Sequence, residues 1–225
     1  NLKLGIAKIG ELLLHGEISR VNIGDSLKEI KLAEEEIPQS LSSIIINGPK
    51  SSFTDEELYK IDQYVLKGGN ILLFLDPFEE VQANPYSQPT YNPINTGLEK
   101  NLEKWGISVG KKYVYDLNCF SQTDRQYGKM NFYVAPMMQK NTLDQKSPIT
   151  KNLGYVIFFQ NAPLDVTAAK ENKDARVTVL AKSSKESWTV DSNISPDPRF
   201  ISVPSDKSTM ASENLAVLVE GKFSS

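Results

Sequence analysis

Cysteine and histidine are almost absent from this 225-residue chain, which holds one of each, Cys119 and His15. A single thiol excludes a disulfide framework within the chain. One Cys and one His cannot build a zinc site of the usual kind, so we expect neither a metal nor a cofactor. Cys119 lies in the polar stretch DLNCFSQ, without a glycine-rich elbow. We therefore do not expect it to be a nucleophile.

Long apolar runs, positive charge and nucleotide motifs are missing as well. No stretch of 18 or more apolar residues occurs, so no segment is predicted to span a membrane. The formal net charge of -3 gives no support for binding nucleic acid. No stretch matches G-x-x-x-x-G-K-[ST] or G-x-G-x-x-G, so the chain is not expected to be an ATPase. It starts without Met, and we expect a piece of a longer protein.

The clearest positive pattern is a strand, a helix and a second strand in residues 43–76. The β-branched run SSIIIN ends at Gly48-Pro49, and the run NILLFL ends at Asp76-Pro77. Continuous apolar strands are typical of parallel sheets that are covered on both faces. A crossover through a helix also makes the two strands parallel. We therefore predict a buried parallel pair.

The predicted helix between these strands has clear start and stop signals. Thr54 and Glu57 have the spacing of a capping box, and Gly68-Gly69 is a helix stop. The buried stripe is predicted to consist of Leu58, Ile61, Val65 and Leu66.

Other segments have weaker patterns. Helical periodicity predicts a helix over 2–14, and a strand follows at 17–23. Residues 79–96 carry three prolines in a polar run and are predicted to be an exposed, mobile loop. If that loop is ordered, we expect Tyr86 and Tyr91 to contact a partner rather than the core.

The second half of the chain changes character. A helix at 97–110 and a strand at 111–116 are followed by short strands without convincing helices between them. Residues 183–212 are rich in Ser, Asp and Pro and are predicted to be loop. We therefore divide the chain into an α/β core, 1–116, and a β-rich elaboration, 117–225, that completes the same domain or forms a small second lobe.

Three blocks in this order resemble the auxiliary proteins of gliding-motility-type ABC transport systems. The first block spans 43–78, the second is TVLAKSSKESWT, and the third is LAVLVEGKFSS at the end of the chain. The residues that carry the likeness are Gly48, Pro49, Lys50, Ile61, Asp62, Gln63, Gly68, Gly69, Asp76, Pro77, Ser183, Ser184, Trp188, Glu220, Gly221, Lys222 and Phe223.

The resemblance implies a fold and a setting. Such proteins are anchored in the inner membrane by helices that flank a soluble domain outside the cytoplasm, and they accompany an ABC permease and a separate ATPase. The soluble domain resembles the class I glutamine amidotransferase-like fold, a flavodoxin-like three-layer α/β sandwich with a mostly parallel sheet. A related domain is a protein-assembly module in an intraflagellar-transport subunit.

The same resemblance bears on catalysis. In amidotransferases the equivalent strand leads into a nucleophilic cysteine elbow, whereas this chain has Asp76-Pro77 there. Proline has no backbone N–H to offer an oxyanion. We therefore expect no catalytic residues, and we expect the Asp76-Pro77 turn to be structural or contact-forming.

Three functional hypotheses follow. The leading one is a non-catalytic extracytoplasmic domain of an ABC-transporter auxiliary protein that binds a partner protein or a transported substrate. The first alternative is a hydrolase of the same fold, acting on a glycan or an amide, with Asp76 and Asp116 as its carboxylates. The second is a small-molecule binding domain. The candidate binding residues are Gly48, Pro49, Asp76, Pro77, Asp116 and Trp188.

Overall fold

The computed structural model describes residues 30–84, 87–195 and 197–223. The predicted helix at 2–14, the predicted strand at 17–23, His15 and Tyr86 lie outside the described residues.

Strands dominate the described part of the chain. The helices are α1 (Asp55–Leu66), α2 (Leu98–Lys104) and α3 (Thr167–Glu171). The strands are β1 (Ser43–Asn47), β2 (Asn70–Phe74), β3 (Phe78–Val81), β4 (Thr90–Pro93), β5 (Ser108–Val109), β6 (Tyr113–Asp116), β7 (Cys119–Asp124), β8 (Gly128–Met138), β9 (Val156–Ile157), β10 (Leu164–Asp165), β11 (Ala175–Lys182), β12 (Ser187–Val190) and β13 (Asn214–Gly221). Two 3-10 turns, Pro198–Phe200 and Lys207–Thr209, complete the elements.

The predicted flavodoxin-like, class I glutamine amidotransferase-like three-layer sandwich is wrong. In the described ranges, β1 and β2 form a parallel pair, and the other strand pairs are antiparallel, in sheets of two or three strands. A mostly parallel sheet needs a crossover helix between successive strands. The three helices here are short, and β3–β4 and β7–β8 are joined directly as hairpins.

Contacts divide the chain into two compact units. The first holds the described residues up to Leu75 together with Asn95–Leu98, and the second holds Asp76–Ile94 and the residues from Glu99 onwards. The division at residue 116 stays a prediction.

The strand–helix–strand prediction is confirmed in the first unit. β1 and β2 pair in parallel from Ser43 opposite Asn70 to Asn47 opposite Phe74. The Thr54 hydroxyl accepts from the backbone N–H of Glu57, and the Glu57 carboxylate accepts from the Thr54 N–H at 2.8 Å, which completes the capping box.

The buried face of α1 differs from the predicted stripe. Leu58 and Ile61 are buried as predicted, but Val65 and Leu66 are half-exposed. Buried polar residues take part instead, because they find partners: the Tyr64 hydroxyl donates to the Leu41 carbonyl at 3.1 Å.

Lys60 on α1 is a buried charged residue that also finds partners. Its ammonium donates to the Leu32 carbonyl at 2.9 Å and lies 3.1 Å from Glu56 and 3.5 Å from Glu36. The hydrogen bond to Glu56 raises the pKa of Lys60, while burial acts in the opposite direction. Residues 32–36 are thereby held against the helix.

The predicted burial of β2 on both faces is wrong. Leu72 is 48% exposed and Phe74 is also exposed, while Ile71 and Leu73 are half-buried. An apolar run indicates that a strand could be buried, but its actual burial depends on the elements that cover the sheet.

The second unit begins with a hairpin where a loop was predicted. β3 and β4 pair antiparallel, with Phe78 opposite Pro93 and Val81 opposite Thr90. Pro93 is tolerated because a two-stranded ribbon leaves one edge of each strand without a partner. Tyr91 packs on the core, against the expectation of a partner contact, with its ring centroid 6.0 Å from that of Tyr113.

Two hydrophobic clusters fill the second unit. One is aromatic and is built from Phe78, Tyr113, Tyr115, Val134 and Trp188. The other is mainly aliphatic and is built from Val114, Met138, Leu143, Ala181 and Leu215. Because side chains alternate along a strand, successive residues of β6 supply both clusters. β6 is buried at all four positions and is the centre of this unit.

Substitutions at three glycines of the second unit distinguish the cost of backbone strain from the cost of close packing. Gly106 has φ +82°, and a Cβ there would lie 2.5 Å from the backbone nitrogen of Ala169. Gly128 has φ +75° with open space around it, and Gly154 has neither strain nor a close neighbour. We expect the change to Ala to lower the free energy of unfolding by about 3 kcal/mol at Gly106, about 1 at Gly128 and less than about 0.5 at Gly154. Urea denaturation measures all three, and equal losses at Gly106 and Gly128 would refute the packing argument.

Candidate functional site

Asp116, at the end of β6, is a fully buried carboxylate that accepts hydrogen bonds on both oxygens. It is 0% exposed. The Asn118 N–H donates to Oδ1 at 2.8 Å, and Ser184 donates from its hydroxyl to Oδ1 and from its N–H to Oδ2, both at 2.6 Å. A buried charge is expensive unless hydrogen bonds replace its hydration, and here they do.

A serine network extends from this carboxylate. The Ser183 and Ser187 hydroxyls lie 2.6 Å apart, and both side chains are buried. Ser187 also donates to the Ala211 carbonyl, and the Glu213 N–H donates to Ser183 Oγ at 2.7 Å. The network therefore joins β6, the start of β12 and the segment before β13. The Ser184 hydroxyl and N–H both donate to the Asp116 carboxylate, and this pairing ties the turn to the end of β6.

Trp188 follows this network into the aromatic cluster. It is buried opposite Tyr115 in the β12–β6 pair, with ring centroids 5.8 Å apart in an edge-on arrangement. The Tyr133 ring lies 5.5 Å away on centroids. The structure thus brings two of the predicted residues, Asp116 and Trp188, to adjacent rungs of one strand pair.

The other predicted residues lie on other elements. Gly48 and Pro49 follow β1 in the first unit, where the Gly48 N–H donates to the Phe74 carbonyl at 2.7 Å. Asp76 is exposed in the second unit, and Pro77 is buried there and accepts from the Ile94 N–H at 3.1 Å. The Asp76-Pro77 turn therefore leads into the β3–β4 hairpin.

Sequence reasoning missed an exposed aromatic surface beside the β7–β8 turn. The Arg199 guanidinium lies 4.9 Å from the ring centroid of Tyr127 and 5.6 Å from that of Phe200. Tyr127 is 53% and Phe200 68% exposed. We call Tyr127, Arg199 and Phe200 the Tyr127 surface. The turn signal at Asp124–Gly128 was readable in the sequence, but the approach of residues about 70 positions apart was not.

Asp197 fixes the arginine of this surface. Its carboxylate accepts from Arg199 Nε at 3.0 Å and from Nη2 at 2.6 Å. The hydrogen bond to Arg199 lowers the pKa of Asp197, so the pair stays charged over the neutral range. A bidentate pair holds the guanidinium plane in place over the rings.

The described ranges contain a small cavity. A cavity of about 150 Å³ lies between residues 30–34 and the start of α1, beside Phe53 and Glu57. Drug-sized ligands usually occupy about 300–1,000 Å³. Among the described residues, no group of three or more His, Cys, Asp or Glu side chains could hold a metal ion, and no helix is long and apolar enough to cross a membrane.

Comparison with known proteins places the chain in a family. Residues 26–225 match the family described as "ABC-type uncharacterized transport system". The chain belongs to this family. The name of the family indicates an auxiliary component of an ABC transport system, and Asp116, Ser183, Ser184 and Trp188 lie within the matched range.

Comparisons at the level of single proteins add little to the family match. No curated protein matches the auxiliary chain. Among solved structures, the mmIFT52 N-terminal domain matches with 18% identity and a TM-score of 0.46, over 68% of this chain and 59% of that one. The auxiliary chain thus spans less than two thirds of that structure, and a likeness at this level carries no functional argument.

Asp116 and Asp76 form a matched pair of substitutions in the auxiliary chain. Asp116→Asn keeps the size of the side chain but sets an amide donor against the donors of Ser184. We expect it to lower the free energy of unfolding by about 2 kcal/mol or more, since buried donors lose their acceptor. Asp76→Asn, at an exposed turn, should cost about 1 kcal/mol or less. Chemical denaturation of both variants is the measurement, and similar costs would contradict the assigned role of Asp116.

The single thiol gives a pH test. Burial, and then the charge of Asp116, raise the pKa of Cys119 to about 11. The native thiol should therefore react slowly with iodoacetamide at pH 9 and gain reactivity only towards pH 11, whereas the urea-unfolded chain reacts at pH 9. Because the folded pKa is the higher one, this thiol favours the folded state below its ordinary pKa of about 8.5, and that contribution is lost as the pH rises through about 11. Rapid stoichiometric labelling of the native chain at pH 6 would refute this assignment.

Proposed function

We propose that this chain is a non-catalytic, extracytoplasmic interaction domain of the auxiliary protein of a gliding-motility-type ABC transport system. In this proposal helices outside the chain anchor the parent protein in the inner membrane, and its partners are the permease and the ATPase of the same system. The observation that carries the proposal is the Tyr127 surface, a preformed and solvent-exposed group of two aromatic rings around one arginine.

The chemistry of this surface supports contact with a protein. Tyrosine and arginine are enriched among the residues that dominate binding energies at interfaces. The Asp197 pair orders Arg199 in advance, so less side-chain freedom is lost when a partner binds. Burying an aromatic ring that is at least half-exposed against another protein surface is favourable.

The geometry of the carboxylates supports the non-catalytic part of the proposal. Asp116 is fully buried and accepts three hydrogen bonds from the chain, so its carboxylate is not accessible to a substrate. Asp76 is exposed to solvent, so its side chain lacks the water-excluded setting that is typical of catalytic carboxylates. We therefore expect no turnover of esters, amides or glycosides by the isolated chain.

Co-purification of the parent protein tests the proposal. The full-length parent should retain the permease in mild detergent. The double change Tyr127→Ser and Phe200→Ser should reduce the recovered permease at least about tenfold, because it removes two exposed rings of the contact. Quantitative immunoblotting against a tagged permease is the measurement.

Tyr59 provides the matched control. It is an aromatic residue of the first unit with 62% exposure, so Tyr59→Ser removes a similar ring that is not part of the Tyr127 surface. This variant should retain the permease at the parental level. Loss of the permease in both variants, or in neither, would contradict the role of the Tyr127 surface.

Protease added to spheroplasts should cleave this domain from outside, and protection would contradict its extracytoplasmic location.

A further inference from the structure

Among the described residues, the outer edge of β7 has no neighbouring strand. β7 pairs with β8 on one side, from Phe120 opposite Phe132 to Asp124 opposite Gly128, and no described strand lies on its other side. Residues 120–123 are all exposed. In an antiparallel ribbon every second residue of an edge strand turns its N–H and C=O away from its partner. These groups make no further backbone hydrogen bond with the described residues.

This edge lacks the devices that usually protect one. Natural edge strands carry charges, proline or bulges that prevent other strands from pairing. Residues 120–123 read FSQT, without charge and without proline. The ladder is regular from Phe120 to Asp124, and the irregularity in register lies before Phe120. The strand is therefore competent to accept another strand.

The side chains beside the edge indicate what kind of strand fits. On one face the Phe120 ring, 40% exposed, lies 5.8 Å on centroids from the Phe132 ring. Arg125 and Lys129 are exposed at the end of the ribbon, and neither makes an ion pair with the described residues. The nearby Asp124 is engaged, since its Oδ1 accepts from the N–H groups of residues 126 and 127.

We infer that the β7 edge binds an extended acidic segment of a partner protein by strand addition. Backbone hydrogen bonds supply the pairing, an apolar side chain of the segment covers Phe120, and carboxylates face Arg125 and Lys129. This inference rests on the proposed function, because it names the kind of partner segment that an interaction domain would take.

A peptide of fixed sequence, acetyl-Thr-Glu-Val-Glu-Val-Thr-amide, is the probe. It alternates β-branched and acidic side chains, as the edge requires. We expect saturable binding to the chain in titration calorimetry, with slowed hydrogen exchange at the outward-facing amides of residues 120–123. The same peptide with N-methyl groups on two adjacent residues, a glutamate and the valine after it, should lose at least tenfold in affinity, because both of its edges are then blocked. Absence of binding at 1 mM peptide, or equal binding of both peptides, would overturn the inference.

Charge reversal separates the acidic preference from backbone pairing. Arg125→Glu with Lys129→Glu should weaken peptide binding at least tenfold, while Lys173→Glu, an exposed lysine elsewhere in the same unit, should leave it unchanged. An equal effect of Lys173→Glu would show a general charge effect and would overturn the acidic specificity. A dimer that sedimentation detects without peptide, and that the peptide dissociates, would assign the edge to a second copy and overturn the partner segment.

The two proposals fail in different ways. If the permease co-purifies with the parent but the peptide does not protect residues 120–123, the strand-addition inference fails and the proposed function stands. If the peptide binds as expected but the permease is not retained, the proposed partner fails while the edge remains a strand-binding site.

Discussion

The second unit depends on the hydrogen bonds of one buried charge, the carboxylate of Asp116. A carboxylate without exposure to water requires donors on both oxygens, and Asn118 and Ser184 supply them. Satisfying this charge fixes the turn that carries Ser183 and Ser184, and that turn starts β12. The register of β12 against β6 then sets Trp188 opposite Tyr115. One electrostatic requirement therefore positions the aromatic cluster and the strand pair together.

The parts of the fold that the sequence predicted are those whose causes are local. The Thr54 capping box closes within four residues, and the helix stop needs only the freedom of Gly68, which has φ +93°. β1 and β2 could be paired because a helical crossover between two apolar strands leaves few other arrangements. Each of these inferences draws on a few neighbouring residues, so no knowledge of the distant chain was required.

The fold class and the site required long-range information. The apolar run of β2 looks the same whether another layer covers it or not, and Leu72 is nearly half-exposed. The prolines at 79–96 argued against a central strand but said nothing against the β3–β4 hairpin. Asp116 and Ser184 are 68 residues apart, and a lone Asp after a strand is the same signal for a turn and for a catalytic carboxylate. The family resemblance identified the ABC transport family correctly, but the sandwich fold that it implied is wrong.

The interior of the second unit differs from its surface in whether its polar groups have partners within the chain. Inside, Asp116 and the serines have their partners within the chain, so they offer nothing to a ligand. At the β7–β8 ribbon the opposite holds, because the outer backbone groups of β7 and the charges of Arg125 and Lys129 have no partner among the described residues. Water satisfies such groups at little cost, and a strand of complementary charge can replace that water with direct bonds. A unit that fixes its core by internal hydrogen bonds can therefore exchange partners at its edge without changing its fold.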